Sequence, residues 1–145
     1  MGKNGKSSDS TPKIRRACGL YLRVSTDMQA LVKEGSLDTQ QSTLTKYTEI
    51  KTSNSDEEWN VKEIYREEGR SGKNTDRPEY QRMLKDIKNG KIDVLLCTKI
   101  DRVHRSLVDF YKLHELLEAN NVTFVSLSEN WDTSTPMGRF GLKLT

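Results

Sequence analysis

No run of about 18 consecutive apolar residues occurs in the 145-residue chain, so no segment reads as a transmembrane helix. The first residues, "MGKNGKSSDSTPKIRR", lack the apolar centre of a signal peptide. They begin Met-Gly, but Lys6 stands where a myristoylation signal needs Ser or Thr. Cysteine and histidine are scarce: Cys18 and Cys97, His104 and His114. With no ligand spacing among them, a zinc site is not expected. Each cysteine sits in a short apolar run, which reads as a reduced core thiol. A phosphate loop ending in Lys-Ser/Thr is missing, which excludes a Walker-type ATPase. A Gly-x-Ser-x-Gly elbow is missing too, which excludes the usual α/β-hydrolase.

Apolar residues make up 33% of the chain and charged residues 31%. That balance fits a single domain with one core, a polar tail and a strongly solvated face. The net charge of +3 does not demand a polyanionic partner. Local basic clusters can still hold one.

Residues 1–15 read as a flexible, basic tail. "ACGLYLRV", Ala17 to Val24, reads as a buried strand. "DMQALVKEG" follows as a loop with some helical character. A helix is expected from about Ser36, with Leu37, Leu44, Tyr47 and Ile50 at helical spacing. "WNVKEIY" alternates at strand period, and the charged "REEGRSGKNTD" after it is expected to be mobile. "DRPEYQRMLKDIKNG" opens as a helix: Asp76 can cap, Pro78 fits the first turn, Glu79 can close a capping box and Gly90 ends it. Val94 to Cys97 reads as a buried strand. Ser106 and Asp109 then start a helix whose apolar face is Leu107, Phe110, Leu113, Leu116 and Leu117. "VTFVSL" is the last strand.

Strands alternating with amphipathic helices predict an α/β fold of three layers, a mostly parallel sheet flanked by helices. Functional residues of such sheets collect beyond the carboxyl ends of the strands. Polar clusters sit at three of those ends and contain Arg23, Arg66, Arg70, Arg77, Arg102 and Arg105, with Ser25 among them. Arginine stays protonated and its planar fork matches phosphate oxygens. Several arginines around one hydroxyl favour attack on a phosphodiester, because they neutralise the charge of the transition state. They also lower the hydroxyl pKa, which helps a serine with no histidine base.

Arg102 and Arg105, three apart, share a face on a helical turn. Arg77 opens a helix, where the macrodipole favours phosphate. Asp101 serves either as a general acid or base or as an anchor for Arg102 and Arg105. Plainer roles stand beside these: Asp101 as a turn acid, Arg77 paired with Glu79, Arg105 paired with Asp109, and His104 as a packing residue.

"YLRVSTDMQ", "SLDTQ", "EEGRSGKNTDRPEYQRML", "TKIDRVHRS" and "TSTPMGR" occur in this order. Together they resemble the catalytic domain of the serine site-specific recombinases, the resolvase/invertase family. The insertion "ALVKEG" and the "GRSGKNTDRPE" stretch look most like the large serine recombinases, the phage-type integrases and transposon recombinases. The resemblance covers residues 16–139 as a catalytic domain and implies that 140–145 begin a long dimerisation helix. It implies that Ser25 is the nucleophile, forming a 5′-phosphoserine linkage to DNA and freeing a 3′-hydroxyl. By the same resemblance Arg23 contacts the scissile phosphate, and Gln40, Arg77, Asp101, Arg102 and Arg105 complete the site. Lys99, Arg70 and Arg139 are weaker DNA-contact candidates, and the role of Glu67 is open. The implied partners are double-stranded recombination sites and further copies of the protein, a homodimer and then a synaptic tetramer. Neither metal nor nucleotide cofactor is implied, and the setting is cytoplasmic. The competing expectation is a non-enzymatic α/β module that binds nucleic acid or another polyanion through the same arginines. A plain protein-interaction domain is the third.

Overall fold

The computed structural model describes residues 13–24, 35–68, 77–104 and 106–133. In chain order the elements are β1 (Ile14–Val24), α1 (Leu37–Ser53), β2 (Glu57–Glu68), α2 (Pro78–Lys88), β3 (Val94–Cys97), α3 (Ile100–Val103), α4 (Leu107–Ala119), β4 (Thr123–Ser126) and β5 (Trp131–Asp132). The strands form one sheet in the order β2-β1-β3-β4-β5. The first four are parallel and β5 is antiparallel to β4. The expectation of a mostly parallel three-layer α/β fold therefore holds.

Alternation along β1 divides the core. Cys18, Leu20, Leu22 and Val24 join Val94, Leu96 and Val125 against Leu37 and Leu44 of α1. Tyr21 joins Tyr65, Leu95, Cys97 and Phe124 against α2 and α4, through Met83, Ile87, Phe110, Leu113 and Leu117. Both cysteines are buried and free, and burial pushes their thiols up to about 12. Among the described residues no helix is long and apolar enough to cross a membrane.

The helix signals act largely as read. Ser36 caps α1 by accepting from the Thr39 N–H, and Ser106 caps α4 by accepting from Asp109. Gly90, at φ +75°, takes the left-handed position after α2, and Lys91 N–H returns to the Asp86 carbonyl at 2.9 Å. Four expectations need correction. β1 begins at Ile14, because Arg16 pairs with Glu57 at 2.9 Å and extends the ladder before the apolar run. Ile50 and Leu107 are exposed, since they fall outside the stripes that α1 and α4 turn toward the sheet. β5 was not expected: a two-residue strand is too short to show a period. Arg77, not Asp76, occupies the N-cap of α2 and makes no side-chain cap bond there.

Gly19 lies on the α2 side of β1. A Cβ there would stand 2.9 Å from the Tyr65 ring and 3.0 Å from Ile92. The Tyr65 hydroxyl is tied to Asp86 at 2.8 Å, so the ring cannot simply swing away. Gly19→Ala should destabilise the chain by about 1–3 kcal/mol, read as a lower urea midpoint at unchanged slope.

Candidate active site

The strand order reverses direction between β1 and β3, which is where an open α/β sheet forms its crevice. β1 pairs with β2 as far as Val24, but with β3 only from Cys18 to Leu20. The end of β1 therefore overhangs the β3 ladder. Its backbone still needs partners, and Gln40 of α1 supplies them. The Arg23 N–H donates to Gln40 Oε1 at 3.4 Å, and Gln40 Nε2 donates to the Arg23 carbonyl at 3.2 Å and to the Gly35 carbonyl at 3.3 Å. The carboxamide carries one donor and one acceptor side by side, as a peptide does, so it stands in for the missing strand. Gln40 is only 2% exposed.

Three arginines meet beside this overhang. α3 is one turn long, so its last carbonyls lack partners within the helix. Arg23 Nε donates to the Arg102 carbonyl at 2.9 Å and its Nη2 to the Asp101 carbonyl at 3.2 Å. Arg77 Nη2 reaches the same Arg102 carbonyl at 3.3 Å. Arg102 itself is buried. The Arg77 guanidinium also donates to the Tyr21 hydroxyl, from Nη2 at 2.6 Å and Nε at 3.2 Å. It lies 4.4 Å from the Tyr80 ring centroid and 5.4 Å from that of Tyr21. Its Nη1 edge makes no hydrogen bond with a described residue.

The buried countercharge is Glu67, at the end of β2. It accepts from the Tyr21 hydroxyl at 3.2 Å and from the Tyr80 N–H at 2.9 Å, with the Glu79 N–H at 3.4 Å. Glu67 thus caps α2 from another element, the position where a carboxylate suits the macrodipole. Glu79 is turned elsewhere, ion-paired with Arg82 at 2.8 Å, so neither the capping box nor an Arg77–Glu79 pair forms. Burial raises the Tyr21 pKa, opposed by Arg77, so the phenol keeps its proton and donates it to Glu67. His104 is half-buried, with Nε2 at 2.6 Å from the Tyr80 hydroxyl. Burial lowers its pKa, and the Arg77 and Arg23 cations lower it further. The imidazole is therefore neutral at pH 7 and registers a positive crevice.

Arg23, Gln40 and Arg77 are brought together, and Arg102 joins them through its carbonyl. Asp101 contributes its carbonyl, while its carboxylate is exposed and bonds to no described residue, so it does not anchor Arg102. Lys99 is exposed at the N-cap of α3. Arg66 belongs to the other face, where it pairs with Asp38 at 2.9 Å and Gln41 at 2.6 Å. Ser25, Arg70, Arg105 and Arg139 lie outside the described residues, as do residues 1–12, 26–34, 69–76 and the rest of 134–145. Tyr21, Tyr80 and the capping role of Glu67 were not anticipated. Tyr21 had a signal, since residues two apart on a strand share a face and it precedes Arg23 by two.

A family model described as the resolvase N-terminal domain matches residues 18–145. The chain belongs to that family. Transposon Tn917 resolvase of Enterococcus faecalis is 34% identical to this resolvase domain over 120 residues, 83% of the chain and 54% of that protein. Serine recombinase gin of Escherichia phage Mu is 43% identical over 70 residues, 48% of the chain and 35% of gin. The chain spans about half or less of these curated relatives. Among solved structures, the N-terminal catalytic domain of TP901-1 integrase superposes with a TM-score of 0.73 at 35% identity. That match covers 89% of this resolvase domain and 90% of the integrase domain.

Proposed function

We propose that this resolvase domain cuts and rejoins DNA strands through Ser25. The Ser25 hydroxyl attacks the scissile phosphorus and loses its proton. The bond to the 3′ oxygen breaks, that oxygen gains a proton, and the 5′ end stays on the enzyme as a phosphoserine ester. Reversal by a new 3′-hydroxyl rejoins the strand without a nucleotide, because the ester keeps the bond energy. Arg23, Arg77, Arg102 and Arg105 take the non-bridging oxygens and the added transition-state charge. Gln40 sets the backbone of the strand that leads to Ser25. Asp101, whose carboxylate is open to solvent, is placed to exchange a proton. Lys99, Arg70 and Arg139 contact flanking DNA.

The observation that carries this reading is that the guanidinium of Arg23, two residues before Ser25 in the chain, meets that of Arg77 on the Arg102 carbonyl. Residues 16–139 form the catalytic domain, and 140–145 start a dimerisation helix in a larger cytoplasmic protein. That protein works on double-stranded recombination sites as a dimer and then a synaptic tetramer. The deciding experiment incubates the parent protein with duplex DNA carrying its own site and runs a denaturing gel. A protein–DNA adduct attached at a 5′ end is expected. Salt-sensitive binding with no adduct would leave only a polyanion-binding module.

A further inference from the structure

Resting on that reading, we propose that Tyr80, anchored at its hydroxyl by His104, is a positioning residue that holds the Arg77 guanidinium flat for phosphate. Arg77 precedes α2 and has a long side chain that could adopt many rotamers. Three contacts fix it. The Tyr21 hydroxyl and the Arg102 carbonyl take one edge. The guanidinium carbon lies over the Tyr80 ring, 4.4 Å from its centroid. A ring can hold a cation only where the ring is itself held, and Tyr80 is gripped at three points. Its N–H donates to Glu67. Its ring meets Tyr21 edge-on at 6.0 Å and His104 edge-on at 5.0 Å. Its hydroxyl shares a 2.6 Å hydrogen bond with His104 Nε2.

The charges around His104 favour its neutral state. Arg77 ahead of α2 and Arg23 on β1 oppose a second cation there, and among the described residues Asp109 on α4 supports one. A neutral imidazole beside Arg77 tethers Tyr80 without repelling the guanidinium. Aromatic–cation contact of this kind orients a planar fork while using none of its N–H donors. The Nη1 edge of Arg77 is thereby presented rather than consumed.

The test reads Arg77 directly. In the 145-residue chain the Arg77 Nε–H resonance should be shifted upfield by the ring and exchange slowly with water. Tyr80→Phe keeps the ring and should keep the shift. Tyr80→Leu should lose both shift and protection. His104→Leu and Tyr80→Phe remove the same hydrogen bond, so each should partly speed exchange, and the double variant should be no worse than either. In the parent protein Tyr80→Leu should slow DNA cleavage about tenfold, with Tyr80→Phe restoring most of the rate. An Arg77 signal unchanged in Tyr80→Leu, or unshifted in the wild type, would overturn the inference. So would a Tyr80→Leu cleavage loss explained by a lower melting temperature. If the wild type forms no adduct but Arg77 responds as described, the proposed function fails while the positioning stands.

Discussion

Ser25→Ala in the parent protein should give no covalent DNA adduct, with the fold and DNA affinity close to wild type. Among the described residues, no other group in the crevice offers the same chemistry. The buried Tyr21 phenol has its pKa raised by burial and its proton engaged with Glu67. Both cysteines lie in the core with thiols pushed up to about 12. Removing one hydroxyl should therefore end strand cleavage outright. Arg23→Ala should instead leave a slow reaction, down about 10²–10³-fold, the scale of losing one preorganised donor to a transition-state oxyanion. Arg23→Lys should recover little, because an ammonium cannot span the Arg102 and Asp101 carbonyls as the fork does. Single-turnover cleavage on a nicked duplex would separate the two cases. An adduct that persists in Ser25→Ala would remove the nucleophile from the mechanism.

Glu67→Ala should lower stability by about 3 kcal/mol, measured by urea unfolding. Glu67 is 4% exposed, and its carboxylate meets the Tyr21 hydroxyl and the first N–H groups of α2. Alanine would leave those donors unmatched inside the protein. Glu67→Gln should cost less, about 1–2 kcal/mol, since the side-chain oxygen can still accept. A Glu67→Ala variant as stable as the wild type would show that water replaces the carboxylate in the crevice.

Elements set by local rules were readable from the chain. Ser36 and Ser106 announce helices because a hydroxyl accepts an N–H three residues on. Val94 to Cys97 announces a buried strand because four apolar residues in a row fit a sheet covered on both faces. The site was readable as a set of arginines at strand ends, but not as a geometry. Arg66 and Glu67 are neighbours in the chain, and the strand pleat sends them to opposite faces of the sheet. Asp76 and Glu79 looked like the natural caps of α2, yet an acid from β2 takes that role across a gap in sequence. Tertiary contact decided each of these, and no local period carries that information.

The overhang at the end of β1 gives the strand two different mechanical regimes. From Cys18 to Leu20 it is stitched on both sides, and moving it would tear the sheet. At Arg23 the backbone on the β3 side is bonded, among the described residues, to the Gln40 side chain through two long hydrogen bonds. Releasing that side costs on the order of 2 kcal/mol, the scale of two ordinary hydrogen bonds. The end of β1 is thus tied to the sheet more lightly than its middle. On the proposed function, realigning the nucleophile would disturb this end of β1 and leave the three layers beneath as they are.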